Sequence, residues 1–484
     1  MVTKKQKDPW GREGHMQSRS LMSWIFLVVT MCRVSVVSAE PALQPWTENP
    51  WYWSDHGAPV LLLGGSDDDS LFQWPEKDLL AQLDRLVAAG GNVIRNTMSS
   101  RQDRGFEVFP FKQVKDGRYD LEQWNEEYWA RFDRMLRETA KRGIVVQIEV
   151  WDPWDYMGDT WHIQPYNPRN NITYTMENSK LAERYPDPPY LNKQPFFFTT
   201  PRQRNNRVVL EYQQRFVDKM LDYTLRYGHV LYCMDNETNG EEEWSRYWAT
   251  YLKHRAGKES TKVFVTEMWG DWDLTADIHR RTFDHFEVYD FVDVSQNNHQ
   301  RGQKHWDQFF RARHFLAKHP RPINTTKIYG ATGERFGNDQ DGIERFWRNL
   351  LAGAASIRFH RPTAGLGLND KAVASIRGAR KLESQIPLWT LEPANDLLID
   401  TKPNHAYLAA DKGHAFALYL PVGGGVRIDL SSTTEPLMVR WIEIATGEWG
   451  PEHRIQGGGK ADLTSPGSGN WAAAISPERP ERTD

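Results

Sequence analysis

Between about residue 59 and residue 386 the chain repeats one pattern eight times: a short apolar run ends in polar side chains, and a longer stretch with helical spacing follows. Such alternation builds βαβ units with right-handed crossovers, so a closed barrel or an open doubly wound sheet fits. Eight units favour the closed (β/α)8 barrel. The predicted strands are Pro59–Leu63, Asn92–Asn96, Ile144–Asp152, a fourth from Val230, Lys262–Met268, a sixth from Phe291, Lys327–Glu334 and Ala355–His360. The second helix is expected to carry Leu121, Trp124, Tyr128, Phe132, Met135 and Leu136 on one face.

From about Pro387 the pattern changes. Alternating runs such as Ala415–Leu420, Val426–Leu430 and Leu437–Ile442 are spaced by Gly-rich turns, which predicts a small antiparallel β-sandwich over 387–478 after a barrel over 44–386. Residues 1–39 read as a secretory signal, with basic residues, an apolar run from Leu21 to Val37 and Val37-Ser-Ala39 before Glu40. The expected location is therefore secreted or periplasmic. Its removal leaves Cys233 as the sole cysteine and excludes an intrachain disulfide. The segment Pro153–Arg207 has no periodicity and reads as a long loop over one side of the cleft.

Each strand end delivers polar groups to one rim, where such barrels build their active sites. The fourth strand is the most telling, since Val230-Leu-Tyr-Cys-Met runs straight into Asp235-Asn-Glu237. Two carboxylates facing each other across a rim support glycoside hydrolysis. A gap of about 5–5.5 Å suits retention and one of roughly 6.5–9.5 Å suits inversion. Sugar-facing candidates are Arg95, Trp151, Asp152, Asn236, Trp269, Asn298, His299 and His360. Trp154, Tyr156, Trp161 and Trp272 are further stacking platforms, each of which packs a core equally well.

The order of Arg95 after strand two, Asn236-Glu237 after strand four and Glu334 after strand seven resembles the 4/7 superfamily of retaining glycoside hydrolases, clan A. More closely, Trp51-Tyr-Trp-Ser-Asp-His-Gly-Ala-Pro-Val60 and the tail Leu418-Tyr-Leu-Pro-Val-Gly-Gly424, with Arg440-Trp441 and Thr446-Gly447, are similar to apiosidase-like barrels that end in a collagen-binding-like sandwich. The resemblance implies Glu237 as general acid/base, Glu334 as nucleophile, Asn236 as binder of the neighbouring hydroxyl, and Arg95 as the cation keeping Glu334 ionised. Glu267, ending strand five, is the rival nucleophile, and Arg95 is alternatively a structural ion-pair partner.

These expectations describe a secreted retaining glycosidase acting on a plant, algal or microbial polysaccharide. An inverting glycosidase and a non-catalytic glycan-binding barrel are the alternatives. A formal charge of −4 gives no basic footprint for nucleic acid. No His-Glu-x-x-His or clustered Cys/His spacing points to a metal, and no phosphate loop or Gly-x-Ser-x-Gly elbow is present, so neither metal nor cofactor is expected. The expected partner is an oligo- or polysaccharide, without stable membrane insertion; the sugar, the linkage and the oligomeric state stay open.

Overall fold

Eight parallel strands line up in the order β5-β4-β3-β2-β1-β8-β7-β6. They are β1 (Leu62–Gly65), β2 (Val93–Thr97), β3 (Val145–Trp151), β4 (Val230–Asp235), β5 (Val265–Thr266), β6 (Val292–Asp293), β7 (Ile323–Ile328) and β8 (Ser356–Phe359). The computed structural model describes residues 42–185, 187–188, 191–331 and 333–477. The expected signal segment, 1–39, lies outside the described residues. The short strands β5 and β6 meet at the closing seam, where the Asp290 amide donates to the Val265 carbonyl (2.9 Å) and Thr266 Oγ1 to that of Phe291 (2.7 Å).

Helices α1 (Glu76–Ala88), α2 (Glu126–Lys141), α3 (Arg207–Thr224), α4 (Glu242–Lys258), α5 (Asp277–Asp284), α6 (Gly302–Leu316), α7 (Asp339–Leu351) and α8 (Asp370–Gln385) follow the strands. Their apolar faces turn inward, as with Leu79, Leu83 and Leu86 of α1. The expected second helix is shortened: Tyr119–Trp124 pairs with Phe111–Gln113 as a hairpin, and Asn125 caps α2 by accepting from the Glu127 amide. The segment after β3 is a packed layer, with Tyr156, Trp161, Tyr166, Phe196 and Phe197 all buried.

Two strands differ in register from the sequence reading, each for a physical reason. Ala58–Val60 belongs to an opening three-stranded sheet, so β1 begins only at Leu62. Strand seven is Ile323–Ile328 rather than Lys327–Glu334. Its stretch Asn324-Thr-Thr-Lys327 reads as a loop, yet those polar side chains are buried and bonded. Asn324 donates to Gln147 Oε1 (2.9 Å) and accepts from Trp53 Nε1 (3.0 Å), while Thr326 donates to Asp293 Oδ2 (2.9 Å). Buried polar groups are tolerated where every one finds such a partner.

After α8 the chain forms a six-stranded and a three-stranded antiparallel sheet, with Tyr407–Asp411, Ala415–Leu420, Leu437–Glu443 and Trp471–Pro477 in the larger one. One face of the larger sheet packs on the barrel helices: Tyr407 lies against Trp306, and Tyr419 stacks on Trp347. Among the described residues no helix is long and apolar enough to cross a membrane.

Candidate active site

The C-terminal ends of the strands open into a cavity of about 570 Å³, within the range of small-molecule sites. From β4, Asn236 and Glu237 reach its wall. Glu237 has φ +59°, an unusual conformation for a residue with a side chain, which turns its carboxyl away from the strand into the opening. The backbone on either side pins it: the Asn236 amide donates to the Trp151 carbonyl (2.9 Å) and the Thr238 amide to that of Met268 (3.0 Å). Tyr329 donates its hydroxyl hydrogen to Glu237 Oε1 (2.9 Å), and the Lys327 ammonium contacts the same oxygen. Lys327 also donates to Asn236 Oδ1 (3.0 Å), whose amide group in turn donates to Asp152 Oδ2 (3.0 Å). Burial pulls the Lys327 amine well below its ordinary value.

Asp69, four residues past β1, is the second carboxylate on the wall. Despite burial, which acts in the opposite direction, Arg95 (2.6 Å), His360 and Arg361 hold it well below the usual carboxylate range. Along the β5-to-β7 side runs an aromatic wall. Trp272 stacks on His299 (centroids 4.1 Å apart), and Tyr329 stacks on Phe336 (4.8 Å) and tilts against His299 (4.3 Å). Burial, then Arg345 and Arg335, push His299 down to about 3, so it is a neutral ring near pH 7.

Among the predicted residues, Asn236, Glu237, His299 and His360 meet at this cavity, together with the stacking candidates Trp154 and Trp272. Glu334 stands elsewhere. Because β7 ends at Ile328, Glu334 lies on an exposed tight turn, with the Gly337 amide donating to its carbonyl (2.9 Å), while the next two residues, Arg335 and Phe336, line the wall. Arg95 does not reach Glu334; it is fully buried between Asp69 and Glu149. Trp151 is sealed among Phe196, Phe216, Trp244 and Trp248, and Trp269 is buried with Arg281 over its ring (4.9 Å). Asn298 bonds Thr325 and His305 beneath the floor, and Asp152 pairs with Arg101. Lys327, Tyr329 and Arg101 went unmarked in the sequence, although the Lys-Ile-Tyr alternation places Lys327 and Tyr329 on one side of the chain.

Glu267 also lies beneath the cavity. It accepts from the Asp235 amide (3.0 Å), the Met268 amide (2.7 Å) and Ser245 Oγ (2.5 Å), and burial beside Asp235 raises it well above its ordinary value. Asp235 is raised to about 8, chiefly by burial. The folded state thus keeps a proton that the unfolded chain releases near pH 4. Stability contributed by this pair is present below that pH and falls as pH rises towards about 8, by roughly 1.4 kcal/mol per pH unit for one proton. Asp235→Asn keeps an acceptor for Trp244 Nε1, which now donates to Asp235 Oδ1 (3.1 Å). Thermal melts from about pH 4 to 8 should therefore decline less steeply for the variant than for the wild type. Parallel declines would contradict the assignment.

In fold, the chain is similar to a solved glycoside hydrolase, with TM-score 0.62 and 12% identity over 90% of this chain and 97% of that one. It is likewise similar to a glycoside hydrolase family 5 structure from Bacteroides vulgatus, with TM-score 0.61 and 12% identity over 92% and 95%. At that identity the likeness establishes the fold, barrel and C-terminal sheets together. No protein-family model matches the sequence, and no curated protein does.

Proposed function

We propose that the protein is a glycoside hydrolase in which Glu237 protonates the departing glycosidic oxygen. The observation that carries this reading is the placement of Glu237: a carboxyl thrust into the cavity by a strained, pinned backbone, beside a flat aromatic wall suited to a sugar ring. Asn236 is oriented by Asp152 and Lys327 to meet a hydroxyl beside the reacting carbon.

For the second carboxylate, placement favours Asp69. Asp69, following β1, and Glu237, following β4, line the same cavity, and a single displacement by water would use them as base and acid. Retention through Glu334 instead requires the 333–337 turn to exchange Arg335 for Glu334 on the wall. Anomer-resolved product analysis separates the two. Inverted product, with turnover abolished in Asp69→Asn and kept in Glu334→Gln, supports the direct path; retained product with the opposite pattern restores double displacement.

The substrate in this reading is a plant, algal or microbial polysaccharide met outside the cell, and kinship to apiosidase-like barrels rests on the Trp51–Val60 and Leu418–Gly424 stretches. Cell fractionation of the full chain tests export.

A further inference from the structure

The charges on the cavity wall do not balance. Among the described residues the basic side chains Arg101, Lys327, Arg335 and Arg361 line it, against the two carboxyl groups of Asp69 and Glu237. Arg101 is matched from behind by Asp152 and by Asp155 (2.6 Å), and Lys327 by Glu237. The other two cations are less well matched. Arg361 Nε stands 3.4 Å from Asp69 Oδ2 and is buried with no hydrogen-bond partner among the described residues, while Asp69 is already held by Arg95 at 2.6 Å. Arg335 has no carboxylate partner among the described residues; its guanidinium lies over the Phe336 ring at 4.5 Å. A guanidinium over a ring in this way keeps its fork of donors available to a planar anion. Both arginines follow adjacent strands, β7 and β8, and so occupy the same side of the opening.

We propose that this side of the cavity is a subsite for a sugar bearing a negative charge, a uronic acid carboxylate or a sulfate ester, received by Arg335 and Arg361. The inference rests on the glycosidase reading for its ligand class and deepens it by naming the charge of the substrate. A neutral glycan would leave Arg335 without a counter-charge and Arg361 sharing Asp69 with Arg95, a cost that an acidic sugar removes. His299 is lowered chiefly by burial, and Arg345 and then Arg335 add to it in the same direction.

The test is calorimetric binding of the full chain to oligogalacturonides, to the same oligosaccharides with reduced carboxyls, and to sulfated galactan oligosaccharides, each at low and high salt. The expected result is acidic oligosaccharides binding at least about tenfold more tightly than the reduced set, with the advantage shrinking in salt. Arg335→Gln should remove roughly tenfold of the affinity for the acidic set, Arg335→Lys less, and both should shift the reduced set by under about threefold. A preference for oligogalacturonides assigns a carboxylate, and one for sulfated galactans assigns a sulfate. Equal binding of charged and reduced sugars, no binding of either acidic set, or an acid preference that survives Arg335→Gln overturns the inference. Cleavage of neutral oligosaccharides without acid preference overturns it while leaving hydrolysis standing. Tight acidic binding without cleavage upholds the subsite and removes the hydrolytic reading.

Discussion

Glu237→Gln should lower turnover on a natural glycoside by roughly two to four orders of magnitude, the usual share of a general acid. Glutamine keeps an oxygen to accept from Tyr329 and fills the same space, so the fold should survive. Lys327 retains Asn236 Oδ1 as an acceptor, which limits the disturbance around it. The decisive control is the leaving group. A dinitrophenyl glycoside departs as a stable anion and needs no proton, so its cleavage should fall far less than that of an alkyl or sugar leaving group. Equal losses on both substrates would mean that Glu237 acts in some other capacity. A wild-type rate on the natural glycoside would remove it from the chemistry.

The position of Glu237 was legible because β4 is fully buried and apolar up to Met234, so the change to Asp-Asn-Glu marks its end without ambiguity. Strand seven hid for the opposite reason. Its residues Asn324, Thr325, Thr326 and Lys327 are buried polar groups, and their partners Gln147 and Asp293 lie about 180 and 30 positions away in the chain, beyond any local pattern. A strand over Lys327–Glu334 puts Glu334 at the rim and Lys327 and Tyr329 within the sheet, whereas the strand over Ile323–Ile328 puts Lys327 and Tyr329 at its end, on the cavity wall.

The tryptophans show a second limit. Trp151 at the end of strand three and Trp272 after strand five are equally good platforms in the sequence, yet one is sealed in the core and the other is 45% exposed at the cavity mouth. Side-chain type records the area available for stacking and says nothing about which side of the chain meets solvent. In the sequence Asp69 is the last of three consecutive acidic residues, Asp67 to Asp69, and nothing local sets it apart from the other two. Its importance depends on Arg95, Arg358, His360 and Arg361 converging on it from two other strands, a property of the closed barrel rather than of any stretch of chain.

The largest loss of stability should follow Arg95→Met. Arg95 is fully buried on β2, with Asp69 on one side at 2.6 Å and Glu149 of β3 in contact on the other. Replacing it with an apolar chain of similar length keeps most of the volume but leaves two buried carboxylates without their shared cation. Removing one partner of a buried pair costs about 3–5 kcal/mol, a large part of a domain's net stability. Glu149 is already raised to about 7 by burial, even though Arg95 acts to lower it, so without the guanidinium it should hold its proton more firmly still. Asp69 cannot escape as easily, since His360 and Arg361 still face it. The double variant Arg95→Met with Glu149→Gln should therefore recover part of the lost stability by removing one stranded charge, while activity stays low because Asp69 has lost its anchor. Denaturant melts of the wild type, both single variants and the double variant form the cycle that measures this coupling. Strictly additive losses would mean that Arg95 and Glu149 act independently and that no ion pair couples them.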